Sequence, residues 1–162
     1  MSNDFVKRYG GIYEHSPWVA ARVNVLLDGA VADTELLASL MADCVDNAST
    51  EKQLELIRAH PDLAGRAQVA GELTAESSAE QSSAGLDRCT AEEYEKFQSL
   101  NAAYREKFDF PFIMAVRKST RAEILQAFAS RIENDYAHEF ETALTEIHKI
   151  ARLRLAALEG GQ

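Results

Sequence analysis

Apolar residues recur at helical spacing through most of the chain, and no pair of strands that could build a sheet is visible. Ser16 and Pro17 stand as a cap and a first-turn proline before WVAARVNVLL, whose Val19, Val23, Leu26 and Leu27 keep the helical period. Asp33 and Thr34 open ELLASLMADCV, with Leu36, Leu37, Leu40, Met41 and Cys44 in register. Thr50 to Gln53 has the form of a capping box, so EKQLELIRA reads as a third helix. It ends near His60, because Pro61 disfavours helical geometry in the residue before it. Thr90 to Glu93 repeats the box ahead of Tyr94, Phe97, Tyr104 and Phe108, a helix expected to run to about Lys107. Thr120 to Glu123 caps another through about Ile132, and Asp135 begins a last long helix with Phe140, Leu144, Ile147, Ile150, Leu153 and Leu158 facing in.

Two stretches break this rhythm. Residues 65–88, GRAQVAGELTAESSAEQSSAGLDR, are rich in Ala, Ser, Gly and Glu and too poor in large apolar residues for a core strand, so they predict a short helix between loops. FDFPFIMAV places four apolar residues after Pro111 with no partner strand, which predicts a buried extended or turn segment. The expected fold is all-α, a single compact bundle of about seven or eight helices over residues 1–162.

Composition narrows the function. The 162 residues suit one domain with one hydrophobic core, and 46% apolar content with only three prolines is that of a globular chain. A net charge of −9 and a pI near 4.9 repel phosphate backbones and anionic lipid, which argues against nucleic acid or membrane as partner. The local basic cluster Lys149, Arg152, Arg154 reads as a solvated face. Cys44 and Cys89 form no CxxC and read as reduced thiols of the cytoplasm. MSNDFVKRYGG lacks the apolar core of a signal peptide, no window reaches membrane-spanning length, and LEGGQ carries no peroxisomal or retention tripeptide.

Few groups stand out as chemistry. His60 lies at a helix C-terminus, where partial negative charge favours the imidazolium and would make a proton donor near neutral pH; it could equally cap exposed carbonyls where Pro61 stops the helix. His15, His138 and His148 read as surface or helix-packing residues. Asp135-x-x-His138 is the nearest approach to a helical di-metal motif and has no partner motif, so no metal site is expected. Glu80 and Gln81 sit among Ser77, Ser78, Ser82 and Ser83, small neighbours that admit a ligand, though no GxSxG or SxxK pattern supports a serine nucleophile.

HPDLAG, then SSAEQSSAGL, then FPFIMAVR, with EIHKIARLRL near the end, resemble in order and spacing the OHCU decarboxylase family over nearly the whole chain. The resemblance implies an all-helical fold, a homodimer and the decarboxylation of 2-oxo-4-hydroxy-4-carboxy-5-ureidoimidazoline to (S)-allantoin, the last step of urate breakdown, without a cofactor. It implies His60 and Glu80 as the catalytic pair and Arg154 as the arginine of the site. Pro61, Ser77, Ser78, Ala79, Glu80, Gln81 and the backbone of Phe112, Ile113, Met114, Ala115 and Val116 would line the substrate pocket, with Arg131 as a second arginine. Two rivals stay in view: a helical binding or regulatory module without catalysis, and a hydrolase acting on a related ureido ring.

Overall fold

In the computed structural model, which describes residues 2–64 and 73–159, eight α-helices and one 3-10 turn make up the regular structure, with no strand among the described residues. The helices are α1 (Ser2–Tyr9), α2 (Trp18–Leu27), α3 (Thr34–Asp46), α4 (Thr50–Arg58), α5 (Ala75–Ser83), α6 (Ala91–Phe108), α7 (Arg121–Arg131) and α8 (Tyr136–Glu159); Leu86–Arg88 is the 3-10 turn. The short helix expected within 65–88 is α5. Residues 65–72, and the last three of LEGGQ, lie outside the described residues.

Side-chain caps set most starts. The Thr90 and Thr120 boxes form as expected, each hydroxyl accepting the N–H three residues on while Glu93 or Glu123 reaches back to the cap N–H. Two expected caps are displaced. Ser49, not Thr50, caps α4 by accepting from Lys52 N, and the Ser16 hydroxyl donates to Glu14 O while Pro17 takes the cap position of α2. No helix was expected over SNDFVKRY, yet α1 forms there; its large apolar residues, Phe5, Val6 and Tyr9, span barely two turns and it has no strong cap signature.

The chain divides into two compact units, Met1–Ala59 with Ile147–Gln162, and His60–Glu146. In the first, α1 packs on α2, α2 on α3 and α3 on α4, burying Val19, Val23, Leu37, Met41, Leu56 and Ile57. The helical faces there are rotated from the expected ones. Leu36 and Leu26 are exposed, while Leu40 and Cys44 line a second apolar surface, a groove of ≈650 Å³ shared with Trp18, Ala21 and Val25. In the second unit, Tyr104, Phe108, Phe110, Phe112 and Phe128 form an aromatic core with centroid separations of 3.9 to 5.9 Å, each pair contributing about 0.5–1.5 kcal/mol beyond the area it buries.

The buried stripe of α8 also differs from expectation. Ile147 and Ile150 face in, but Leu153 is exposed, and Glu139, Ala143, Ala151, Arg154 and Leu155 are buried in its stead. Arg154 therefore does not belong to a solvated basic face, although Lys149 and Arg152 are exposed. No described helix is long and apolar enough to cross a membrane.

Candidate active site

Pro61 ends α4 at Arg58, with the Ala59 N–H closing on Glu55 O, and the chain then enters a turn that begins at His60. His60 is only 6% exposed, which speaks against a frayed helix end. A buried turn cannot rely on water for its backbone polar groups, and three side-chain amides meet them here. Gln81 Oε1 accepts from Ala64 N at 2.9 Å while its Nε2 donates to Asp62 O at 3.2 Å. Asn101 Nδ2 donates to Leu63 O at 3.0 Å, and Gln98 Nε2 to Ala64 O at 2.8 Å. Arg105 Nε adds a bond to the Asp62 carboxylate at 3.1 Å. Ala64 sits at φ +51°, a left-handed conformation that costs an alanine energy and that these contacts hold in place.

Gln81 belongs to α5, whose start Thr74 fixes by accepting from Ser77 N at 3.1 Å. Ser77 and Gln81, four apart, point inward and are 4% and 2% exposed; Glu80 is half-buried beside Gln81, and Ser78 and Ala79 face outward. The bonds from Gln81 to Asp62 and Ala64 thus join the turn after His60 to the helical turn that carries Glu80. Of the five α5 residues expected to line a pocket, Ser77 and Gln81 are turned toward the interior, and Gln81 uses both ends of its amide on the turn.

The segment Phe112–Val116 has no regular secondary structure, no strand is present among the described residues, and Phe112, Ile113 and Val116 are buried. Side chains supply the missing ladder. Arg131 Nη1 donates to Ile113 O at 2.6 Å, and Ala115 N donates to Glu146 Oε1 at 2.9 Å. The Phe112 ring lies between the Phe128 ring, stacked at 3.9 Å, and the Arg131 guanidinium, 4.3 Å from its centroid. Arg131 is paired in turn with Glu139, a carboxylate with no exposed surface that also accepts the Tyr104 hydroxyl at 2.5 Å and Asn134 Nδ2 at 2.8 Å. Burial, reinforced by this hydrogen bond, pushes the Tyr104 phenol above its ordinary range, so Tyr104 stays a donor.

Arg154 belongs to the first unit. Its side chain, 3% exposed, pairs with Glu14 at 2.9 Å and donates to Gly11 O at 3.1 Å. The other histidines divide as expected: His15 and His138 are exposed, and His148 packs between Tyr13, at 2.8 Å from its Nδ1, and Asp46, at 3.0 Å from its Nε2. No group of three or more His, Cys, Asp or Glu side chains is placed to hold a metal among the described residues. Cys44 and Cys89 are free, and partial burial raises both thiols.

Sequence reasoning missed Gln98, Asn101, Glu139 and Glu146. One signal was present: Asn101 falls in register with the buried stripe Phe97, Tyr104 and Phe108 of α6, where a polar residue needs a partner.

The pattern of the OHCU decarboxylase family matches residues 1–156. The chain is 49% identical over 154 residues to a protein of Halalkalicoccus jeotgali named 2-oxo-4-hydroxy-4-carboxy-5-ureidoimidazoline decarboxylase, covering 95% of this chain and 84% of that one. It superposes with a TM-score of 0.78 and 34% identity on a crystal structure of (S)-allantoin synthase, covering 98% of this chain and 50% of the other. A crystal structure of OHCU decarboxylase in the presence of (S)-allantoin matches with a TM-score of 0.71 and 27% identity, covering 87% and 89%.

Proposed function

The chain belongs to the OHCU decarboxylase family, and from that premise we infer that it converts 2-oxo-4-hydroxy-4-carboxy-5-ureidoimidazoline to (S)-allantoin, the last step from urate to allantoin. The family match spans residues 1–156, which supports reading the chain as one domain of this family. The observation that carries the assignment of roles is the buried His60 turn, tied through Gln81 to the helical turn of Glu80.

The reaction breaks the bond between ring carbon and carboxylate. Its electron pair spreads into the adjacent C=N, whose nitrogen takes a proton as CO2 leaves; the enol that remains then yields its hydroxyl proton and gains one on the neighbouring carbon, on a single face. The substrate is its own electron sink, which is why no cofactor is required. His60 exchanges a proton with the 4-hydroxyl, and Glu80 holds the ureido or ring nitrogens. Pro61, the Ser77–Gln81 turn and the backbone of Phe112–Val116 enclose the ring and limit protonation to one face.

The test follows optical activity and ultraviolet absorbance after the protein is added to freshly generated substrate. His60→Ala should lower the rate by about 10² to 10⁴ with the helical signal intact, and Glu80→Ala by less. Activity should survive exhaustive chelation. Full activity in His60→Ala would return His60 to the role of a helix end, and spontaneous racemic decay unaltered by the wild-type protein would favour a binding module. A different product would favour the hydrolase.

The reading carries with it a cytoplasmic enzyme with free thiols and a homodimer. Val25 and Leu26, 76% and 64% exposed in the lining of the groove of the first unit, offer the apolar surface that a second copy would cover. Sedimentation at the mass of one chain would overturn the dimer.

A further inference from the structure

A segment buried outside helices and sheets has to have its backbone polar groups met by side chains. In Phe112–Val116 the holding groups are two carboxylates of the last helix, one acting directly and one through an arginine. Glu146 accepts the Ala115 N–H, and Glu139 Oε1 accepts from Arg131 Nε at 3.0 Å, with Nη2 2.9 Å away as an ion-pair contact, while Arg131 Nη1 donates to the Ile113 carbonyl. Seven residues of helix rise by about 10 Å, while the two backbone groups held are only two residues apart. The longer reach of the arginine bridges the difference. The same guanidinium lies over the Phe112 ring, so one side chain fixes both a carbonyl direction and a ring plane.

We propose that Arg131, Glu139 and Glu146 are positioning residues of the decarboxylation: they fix the backbone of Phe112–Val116 as the surface against which the substrate ring lies, and so the face on which its carbon is protonated. This rests on the assignment of function above. It gives Arg131, expected from the resemblance to meet the substrate, a role through the segment in place of direct contact. A buried ion pair adds little net stability over apolar side chains of the same size, whereas a guanidinium fork fixes direction and plane together. That is what a carbonyl beside a prochiral carbon needs.

The experiment compares Arg131→Lys, Glu139→Gln, Glu146→Ala and Glu146→Gln with the wild-type chain. Helical signal and thermal midpoint are measured together with kcat, KM and the enantiomeric purity of allantoin, at enzyme concentrations where spontaneous decay is negligible. Arg131→Lys keeps the charge and loses the fork; kcat should fall about tenfold to a hundredfold, KM should change little, and the excess of the S enantiomer should drop. Glu146→Ala should behave likewise, and Glu146→Gln, which retains an oxygen for the Ala115 N–H, should recover most of the loss. Variants with lowered midpoints but unchanged kcat, KM and purity would reduce the three residues to packing and overturn the proposal. So would a rise in KM at constant kcat for Arg131→Lys, which marks a direct substrate contact. If Glu139→Gln does not fold, the Glu146 pair decides alone. Failure of the wild-type chain to accelerate allantoin formation would sink the functional assignment itself and is read before any variant.

Discussion

Arg154 and Arg131 meet the same demand across very different sequence distances. Each guanidinium bridges a buried carboxylate and the backbone carbonyl of a segment outside the helices: Arg154 joins Glu14 and Gly11 O, and Arg131 joins Glu139 and Ile113 O. The first closes a span of 143 residues within its unit, whereas Arg131 and Glu139 are only eight apart on successive helices. Glu139 also holds the Tyr104 hydroxyl and the Asn134 amide, and His15 Nε2 lies 3.8 Å from Glu14 Oε2. The distant pair should therefore matter most for whether its unit stays folded, and the local pair for how accurately a short segment is aimed.

The sharpest way to break this contrast is Arg154→Met. Leaving the Glu14 carboxylate buried without its arginine should lower the unfolding free energy by about 3–5 kcal/mol, read from urea denaturation, and adding Glu14→Gln should restore a substantial part. Arg131→Met should cost about 1.5–3 kcal/mol, with two donors still serving Glu139. Equal losses would erase the distinction between the pairs.

A smaller effect compares the two units through their tyrosines. Burial first of all holds both the Tyr13 and the Tyr104 phenol above the ordinary tyrosine value of 10.0, so the folded chain keeps protons that the unfolded chain has released. Stability should be intact below about pH 10 and decline as the pH rises beyond it. Tyr13→Phe and Tyr104→Phe should each flatten that decline, and a slope unchanged by both would contradict the burial argument. The smallest effect lies at the exposed start of α6. Thr90→Ala should cost about 1 kcal/mol. The Glu93 carboxyl is held below its usual 4.5 by the Thr90 backbone N–H and then by Arg121, so its contribution is present above pH 4.5 and disappears as the pH falls through the lowered value.

What could be read from the chain follows the range of the interactions. The Thr90 and Thr120 boxes are closed within four residues, and their helices start where the sequence places them. The break at Pro61 and the absence of regular structure in FPFIMAV are equally local. The inward positions of Glu139 and Arg154 are not, because a rule that sends charges outward fails wherever a partner waits: for Arg154 it is Glu14, far back in the sequence. In the candidate site, His60 and Glu80 were marked by their motifs and Asn101 by its register with the buried stripe of α6, but Gln98 looks like an ordinary polar position until the turn it serves is seen beside it.

That turn has a consequence for dynamics. Most protected amides in a helical protein answer to the helix they lie in, but the Ala64 N–H is bonded to the side chain of Gln81 and has no helix of its own. Its exchange with deuterium is therefore governed by the undocking of α5 rather than by local fraying. A single amide signal would count how often the loop behind His60 and the helix bearing Glu80 come apart.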